Sequence, residues 1–225
     1  MMEKIVGPDV VAVDTRAELT GVVLFPGERA EIANAVAKRR EEYTTARACA
    51  RQAMEKLGLP PSPITRGPRG EPIWPEGVIG SITHCSGYRA AVLGRAGEVT
   101  TLGIDAEPNG PLPEGVLETI SLPAERAWIR RLSATRPGVA WDRLLFSAKE
   151  SVYKAWYPLA RRWLDFSEAM IGLDPSDGRF RARLLVPGPE VEGERLTEFS
   201  GRWLAEDGLV LTAIVVPSRE SNVDR

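Results

Sequence analysis

Phe146-Ser147-Ala148-Lys149-Glu150-Ser151-Val152-Tyr153-Lys154-Ala155-Trp156 reads as the centre of a long helix spanning about residues 143–159. Glu150 and Lys154 stand four apart and share a face, and Phe146 and Tyr153 stand seven apart. An isolated Glu-x-x-x-Lys pair is ordinarily a solvated salt bridge worth a few tenths of a kcal/mol. Here Phe146, Val152, Tyr153, Trp156 and Tyr157 crowd around it, which places the pair at the margin of a packed surface. Two shorter helical patterns precede this helix, 114–120 and 124–132, and four strand candidates follow it, 169–173, 180–186, 201–204 and 209–216. The first half repeats the order. A helical pattern runs over 28–57 through Ala30, Ala33, Val36, Ala37, Tyr43, Ala46, Ala50, Ala53 and Leu57, and Gly58 and Pro60-Pro61 stop it. Strand candidates follow at 78–84, 89–93 and 99–105, after a short apolar stretch at 10–13. Helices first and short strands after, twice over, predict an α+β protein of two similar-sized lobes, 1–108 and 109–225, parted at the proline-rich segment 108–113.

Composition narrows the chemistry. The chain has 225 residues, 43% of them hydrophobic and 27% charged, enough for a real core. Lys and Arg number 29 against 31 Asp and Glu, a formal net charge of −2. That balance speaks against a general nucleic-acid or membrane-surface binder. Two cysteines, Cys49 and Cys85, and one histidine, His84, exclude a disulfide framework and a Cys- or His-rich metal site. A divalent cation on oxygen ligands stays open. Residues 1–7 lack the apolar core of a signal peptide, and no apolar run reaches membrane-spanning length. The expectation is a soluble, cytoplasmic protein with a polar, frayed tail over 218–225.

Four sets of residues carry chemical potential. In Leu102-Gly103-Ile104-Asp105-Ala106-Glu107 an apolar strand ends in carboxylates at i and i+2, on one face. Such a pair repels itself unless a cation or a shared proton relieves it, and Mg²⁺ with phosphate oxygens is one solution; a solvated strand end is the other. Glu150 and Lys154 are the second set. The third is Gly80-Ser81-Ile82-Thr83-His84-Cys85, where the sole histidine closes a strand. No Gly-x-Ser-x-Gly elbow accompanies it, and Cys85 faces away from His84. The fourth is basic: Lys38, Arg39, Arg40, Arg47 and Arg51 on the first helix, with Arg66 and Arg69 in a proline- and glycine-rich loop over 61–75. Arg39 and Arg47 lie about two turns apart, on one face, as a phosphate clamp requires, although a solvated face accounts for any one of them alone. Neither a Gly-x-x-x-x-Gly-Lys nor a Gly-x-Gly-x-x-Gly loop is present.

Three blocks in this order and spacing resemble one family: Arg39-Arg40-Glu41-Glu42-Tyr43 through Arg47 and Arg51, Arg66-Gly67-Pro68-Arg69-Gly70-Glu71-Pro72 and Gly80–His84; Gly103-Ile104-Asp105-Ala106-Glu107-Pro108; and Phe146–Trp156. The chain is similar, over about residues 20–216, to the 4′-phosphopantetheinyl transferases of the Sfp/EntD type, most of all to their actinobacterial PptT-like branch. The resemblance implies two pseudo-symmetric lobes with the active site in the cleft between them. It implies Mg²⁺-dependent transfer of the phosphopantetheine arm of coenzyme A to a serine of an acyl or peptidyl carrier protein, with release of 3′,5′-ADP. Carriers of fatty-acid, polyketide, nonribosomal-peptide and siderophore assembly all qualify. Asp105 and Glu107 match the metal-binding Gly-x-Asp-x-Glu motif and Glu150 its third carboxylate. Ala106 stands where some relatives carry another acid, so a backbone oxygen or a water would serve there; Mn²⁺ is the alternative metal. Lys154 matches the lysine on the pyrophosphate, and Arg39, Arg47 and His84 match the holders of the 3′-phosphate, with Thr83 beside them. Arg66, Gly67, Pro68 and Arg69 match the loop beside the adenine, Arg66 replacing a frequent lysine, and Trp163 matches a residue lining the pantetheine channel. Glu150 fits a general base for the serine. Arg126, Arg130, Arg131, Arg161 and Arg162 are candidates for docking an acidic carrier, a monomer sufficing. Two other readings use the same residues: another Mg²⁺-dependent enzyme on a phosphate ester, or a non-catalytic coenzyme A-binding module.

Overall fold

A computed structural model describes residues 1–218. Contacts divide them into two compact units, Met1–Thr100 with Pro217 and Ser218, and Thr101–Val216. Both are mixtures of helix and sheet, as an α+β chain should be. Of the tail expected to fray, residues 219–225 lie outside the described residues, whereas Ser218 is buried and its N–H reaches the Glu98 carbonyl at 2.9 Å.

The first unit contains α1 (Glu3–Val6), β1 (Val11–Thr15), α2 (Pro26–Glu31), α3 (Ala37–Lys56), β2 (Val78–Cys85), β3 (Tyr88–Arg95) and the first two residues of β4 (Val99–Pro108). Its antiparallel sheet has the order β1-β3-β2. Ala50 and Ala53 let α3 approach that sheet closely, and Cys49 and Met54 complete its contact with Val13, Ala91 and Leu93. The helix expected over 28–57 is broken at 32–36. Alanine periodicity runs through the break, but Glu28 is fully buried. Its carboxylate takes the Phe25 N–H at 2.9 Å, the Ile64 N–H at 2.9 Å and Arg51 Nη1 at 3.0 Å. Meeting Arg51 of α3 requires α2 to turn back across it, and Val36, extended at ψ 156°, makes that turn.

The second unit carries the rest of β4, then α4 (Val116–Ile120), α5 (Pro123–Thr135), α6 (Trp141–Ala160), β5 (Ala169–Leu173), β6 (Arg179–Leu184), β7 (Glu190–Val191), β8 (Glu194–Arg195), β9 (Glu198–Glu206) and β10 (Leu209–Pro217). Pro108, expected at a boundary, is the last residue of β4. The main sheet has the order β4-β10-β9-β6-β5. The hairpin β7-β8 escaped the sequence reading because its strands are two residues long and polar; Glu192 and Gly193, both at positive φ, make the mirror-type turn that such a hairpin needs. Trp141, Leu144, Leu145, Ala148, Val152, Ala155 and Trp156 form the apolar stripe of α6, packed with Phe180, Phe199, Val210 and Ile214. Among the described residues no helix is long and apolar enough to cross a membrane.

β4 presses directly on α6. Thr101 Oγ1 donates to the Ala155 carbonyl at 2.7 Å. A Cβ at Gly103 would lie 2.1 Å from the Ser151 carbonyl oxygen and 2.7 Å from the Ala155 nitrogen. Glycine at 103 is therefore a condition of the crossing, and the crossing brings the acidic end of β4 to the polar stripe of α6.

Candidate functional site

On the second unit, Arg143, Glu150 and Lys154 lie at i, i+7 and i+11 of α6, on one stripe. Asp105 and Glu107 alternate onto one face of β4, while Ala106 is buried and points the other way. Lys154 Nζ donates to Asp105 Oδ1 at 2.8 Å and to the Ile104 carbonyl at 2.9 Å. Arg143 answers for Glu107: Nη1 donates to Oε2 at 3.1 Å, Nε to the Gly110 carbonyl at 3.2 Å and Nη2 to the Pro111 carbonyl at 2.8 Å. Sequence reasoning missed Arg143; its signal was the seven-residue step to Glu150. Burial raises the Glu107 carboxyl above the ordinary carboxylate range, the Asp105 charge adds to the rise and Arg143 opposes it. Burial also raises Glu150, against the pull of Lys154 and with the push of Asp105. The Asp105 charge thus weighs on both Glu107 and Glu150, a load that a cation would relieve.

Among the described residues no three His, Cys, Asp or Glu side chains converge closely enough to hold a metal ion unaided. Mg²⁺ does not require that. It binds through one or two carboxylates plus phosphate oxygens and waters, and Asp105 with Glu107 is a donor set of that kind; position 106 offers no side-chain ligand. Glu150, Tyr153, Trp163, Leu164 and Phe166 line a small cavity between the middle of α6 and the segment that follows it. Trp163 is half exposed and leans on Tyr153, ring centres 4.7 Å apart, leaving an aromatic wall beside Glu150.

Lys149 turns the other way. It is buried with Glu125, Nζ to Oε2 3.0 Å, and donates to the Phe166 and Ala169 carbonyls at 2.6 and 2.9 Å. Burial holds its ammonium below the ordinary lysine range despite Glu125. Glu125 also accepts the Leu122 and Ile171 N–H groups, each at 2.7 Å. The pair ties α5, α6 and β5 together. Several arginines considered for docking are engaged locally: Arg126 Nη1 donates to the Ser121 carbonyl at 2.6 Å, Arg131 lies over Trp128, Arg161 over Tyr157 and Arg162 over Trp156. Arg130 is exposed and lines a groove with Ser133 and Asp142.

On the first unit, Arg39, Tyr43 and Arg47 follow one another at four-residue steps along α3. Arg39 Nη1 meets His84 Nε2 at 2.7 Å. A guanidinium only donates, so Nε2 accepts and the ring proton of a neutral His84 sits on Nδ1, 3.7 Å from Glu42 Oε2. Thr83, next along β2, is buried. Arg47 is buried too; Nε donates to the Ile64 carbonyl at 3.0 Å and the guanidinium lies 3.9 Å from the centre of the Tyr43 ring. Burial lowers its pKa from the ordinary arginine value. Arg66 is held by Glu31, whose Oε1 takes the Arg66 N–H at 2.7 Å and whose Oε2 takes Nε at 3.1 Å and the Tyr43 hydroxyl at 2.8 Å. The loop that follows is tight: Arg66 bridges Pro72, Gly67 N–H reaches the Glu71 carbonyl at 2.7 Å, and Gly70 sits at φ +86°. Pro68 and Arg69 form its tip, with the Arg69 N–H on Glu71 Oε2 at 2.9 Å. Arg39 and His84 are thus in contact, and Arg47 and Arg66 share Tyr43. Sequence reasoning passed over Tyr43 and Glu31, although Tyr43 lies midway between the two arginines it had singled out.

Two family models match the chain, one in each half. A model of the 4′-phosphopantetheinyl transferase N-terminal domain matches residues 27–94, and a model of the 4′-phosphopantetheinyl transferase superfamily matches residues 101–206. The chain is 61% identical over 194 residues to the 4′-phosphopantetheinyl transferase Svp of Streptomyces mobaraensis, covering 86% of this chain and 79% of that one. It is 50% identical over 213 residues to the 4′-phosphopantetheinyl transferase PptT of Mycobacterium tuberculosis, covering 92% of each. Similarity to enterobactin synthase component D of Escherichia coli is lower, 34% over 131 residues, 56% of this chain and 59% of that one.

Proposed function

Because the chain belongs to the 4′-phosphopantetheinyl transferase family, we propose that it moves the phosphopantetheine arm of coenzyme A onto a serine of an apo acyl or peptidyl carrier protein, with Asp105, Glu107, Glu150 and Lys154 at the reacting phosphates. The observation that carries this reading is the β4–α6 crossing, where Lys154 meets Asp105 at 2.8 Å and Arg143 meets Glu107 at 3.1 Å, with Glu150 between the two cations on the helix.

The serine oxygen forms a bond to the phosphorus that bears pantetheine, and the bond from that phosphorus to the bridging oxygen breaks. 3′,5′-ADP leaves with the electron pair, and the serine proton passes to a base. Glu150 suits that base. A carboxyl raised by burial is a stronger proton acceptor at neutral pH than an ordinary one. Lys154 supplies a positive charge where negative charge grows on the leaving pyrophosphate oxygens. Asp105 and Glu107 are the residues that would hold Mg²⁺, or Mn²⁺, which supplies charge neutralisation at the pyrophosphate. Arg39, Arg47 and His84, with Thr83 beside them, have the chemistry to hold the 3′-phosphate. The Arg66–Arg69 loop suits the adenine, and Trp163 suits the pantetheine chain. Two cysteines outside any disulfide accord with action in a reducing cytoplasm, and the reading needs one copy of the chain.

The test is to incubate the protein with coenzyme A, Mg²⁺ and an apo carrier and to weigh the carrier. A gain of one phosphopantetheine (about 340 Da, from the mass of the group) is expected, lost in Glu150→Gln and Lys154→Ala. No gain on several carriers, with hydrolysis of coenzyme A instead, would replace the reading with a phosphate-ester hydrolase.

A further inference from the structure

The aromatic wall beside Glu150 belongs to residues 162–168, and side chains of α6 hold that segment in place. Arg161, at φ +52°, ends α6 in the left-handed region and turns the chain back. Among the described residues no backbone hydrogen bond joins 162–168 to α6. Two side chains of the helix reach its carbonyls instead. Trp156, fully buried, donates Nε1–H to the Arg162 carbonyl at 3.0 Å. Lys149 donates to the Phe166 carbonyl at 2.6 Å and to the Ala169 carbonyl at 2.9 Å. The two donors stand seven residues apart, about two turns, on one face of α6. The returning chain therefore runs antiparallel to the helix, Arg162 at Trp156 and Phe166 at Lys149. Between these two points Leu164 is buried, and Trp163, 52% exposed, rests on Tyr153.

The Lys149 ammonium has three protons and meets three acceptors, the two carbonyls and Glu125 Oε2 at 3.0 Å. Its side chain is 2% exposed, so it has no donor to offer a substrate. Glu125 is fixed in turn by the Leu122 and Ile171 N–H groups. For stability alone, apolar residues of the same volume often serve as well as a buried ion pair. They cannot hold the Phe166 and Ala169 carbonyls together, and those two residues line the same cavity as Glu150 and Trp163. We propose that Lys149, clamped by Glu125, and Trp156 are positioning residues: they fix 162–168 against α6 and so set Trp163 as the wall of the cavity that Glu150 lines, against which the pantetheine arm of coenzyme A lies.

That the arm meets Trp163 rests on the transferase reading; that Lys149 and Trp156 fix the segment does not. The test titrates the full chain calorimetrically with coenzyme A and with 3′,5′-ADP, which lacks the arm, and follows amide hydrogen exchange over 162–168 by mass spectrometry. Lys149→Met with Glu125→Leu leaves no buried charge unpaired and so separates positioning from stability. Trp156→Phe keeps a ring but removes the N–H, and it decides the matter if the double variant does not fold. In both, the amides of 162–168 exchange faster relative to those of β10. Coenzyme A weakens about threefold to tenfold, because the loosened wall must be ordered on binding, and 3′,5′-ADP binds as in wild type. The KM for coenzyme A rises by a similar factor, and saturating coenzyme A restores most of kcat. Wild-type exchange in both variants would overturn the positioning role, and so would equal losses for the two ligands, which mark a general loosening of the unit. Trp163→Ala separates the remaining cases. If it weakens coenzyme A while the other variants do not, the positioning role falls. If it binds coenzyme A like wild type, the arm does not meet this wall, and faster exchange alone then upholds the fixing of the segment.

Discussion

Gly103→Ala isolates the contact on which the placement of the acidic strand β4 against α6 depends. The added methyl would sit 2.1 Å from the Ser151 carbonyl oxygen and 2.7 Å from the Ala155 nitrogen. Both are backbone atoms inside α6, so no side chain can swing aside. Ordinary contact begins at 3.4 Å, and the strand and helix must part by more than about 1 Å, a distance at which core overpacking falls at the upper end of its usual range, about 3 kcal/mol. For a chain of this size that is a drop in Tm of about 10 °C. The same displacement pulls at the 2.8 Å contact of Lys154 with Asp105 and the 2.7 Å bond of Thr101 to Ala155. Misplacement of catalytic groups by about 1 Å reduces turnover about a hundredfold. Urea unfolding and steady-state transfer to a carrier protein measure the two effects together. Gly172→Ala is the control, since a Cβ there meets nothing within 4 Å. A Gly103→Ala protein as stable as wild type and within about threefold of its kcat would show that β4 and α6 are not packed as described.

Three further expectations rest on single contacts. Lys149→Met leaves Glu125 charged and buried, and should lower the unfolding free energy by about 3–5 kcal/mol; Lys149→Met with Glu125→Leu should recover most of the loss, and failure to do so in denaturant titrations would refute the pairing. Glu31 is pushed up by burial, but hydrogen bonds from Arg66 and Tyr43 prevail and hold its carboxyl below the ordinary value of 4.5. Its contribution is therefore complete above the unfolded value and lost as pH falls from there through the lowered folded value; Glu31→Gln should flatten the acid limb of the stability curve between about pH 5 and 3, and an unchanged limb would exclude the contribution. Arg143→Lys keeps the charge near Glu107 but cannot hold a carboxylate and two carbonyls at once. Divalent-cation affinity, measured on the unliganded protein with Mn²⁺, should fall several-fold, whereas wild-type affinity would show that the fork does not orient Glu107.

The parts of the molecule that follow a period were legible in the sequence. The apolar stripe of α6 repeats every three or four residues, and β2, β3 and β10 begin and end within a few residues of their apolar runs. The break between α2 and α3 was not, because an alanine period is indifferent to a buried glutamate that must reach Arg51. Lys149 and Glu150 are neighbours in sequence with opposite fates, one neutralised in the core and one at the site; Glu125, the residue that separates them, lies far upstream. Arg47 shows the same limit. Its position on the face of Arg39 was evident, but its burial comes from the Tyr43 ring and the Ile64 carbonyl, contacts that no local spacing records.

The two cysteines, neither in a disulfide, have a practical consequence. Cys49 is buried against the sheet, and burial pushes its thiol up to about 11, which leaves almost no thiolate at neutral pH. Cys85 is partly accessible and directly follows His84 at the end of β2. The natural chain thus offers one readily labelled sulfur, adjacent to the residue assigned to the nucleotide phosphate. A small environment-sensitive fluorophore on Cys85 would turn occupancy of that neighbourhood into an optical signal, with no cysteine added or removed.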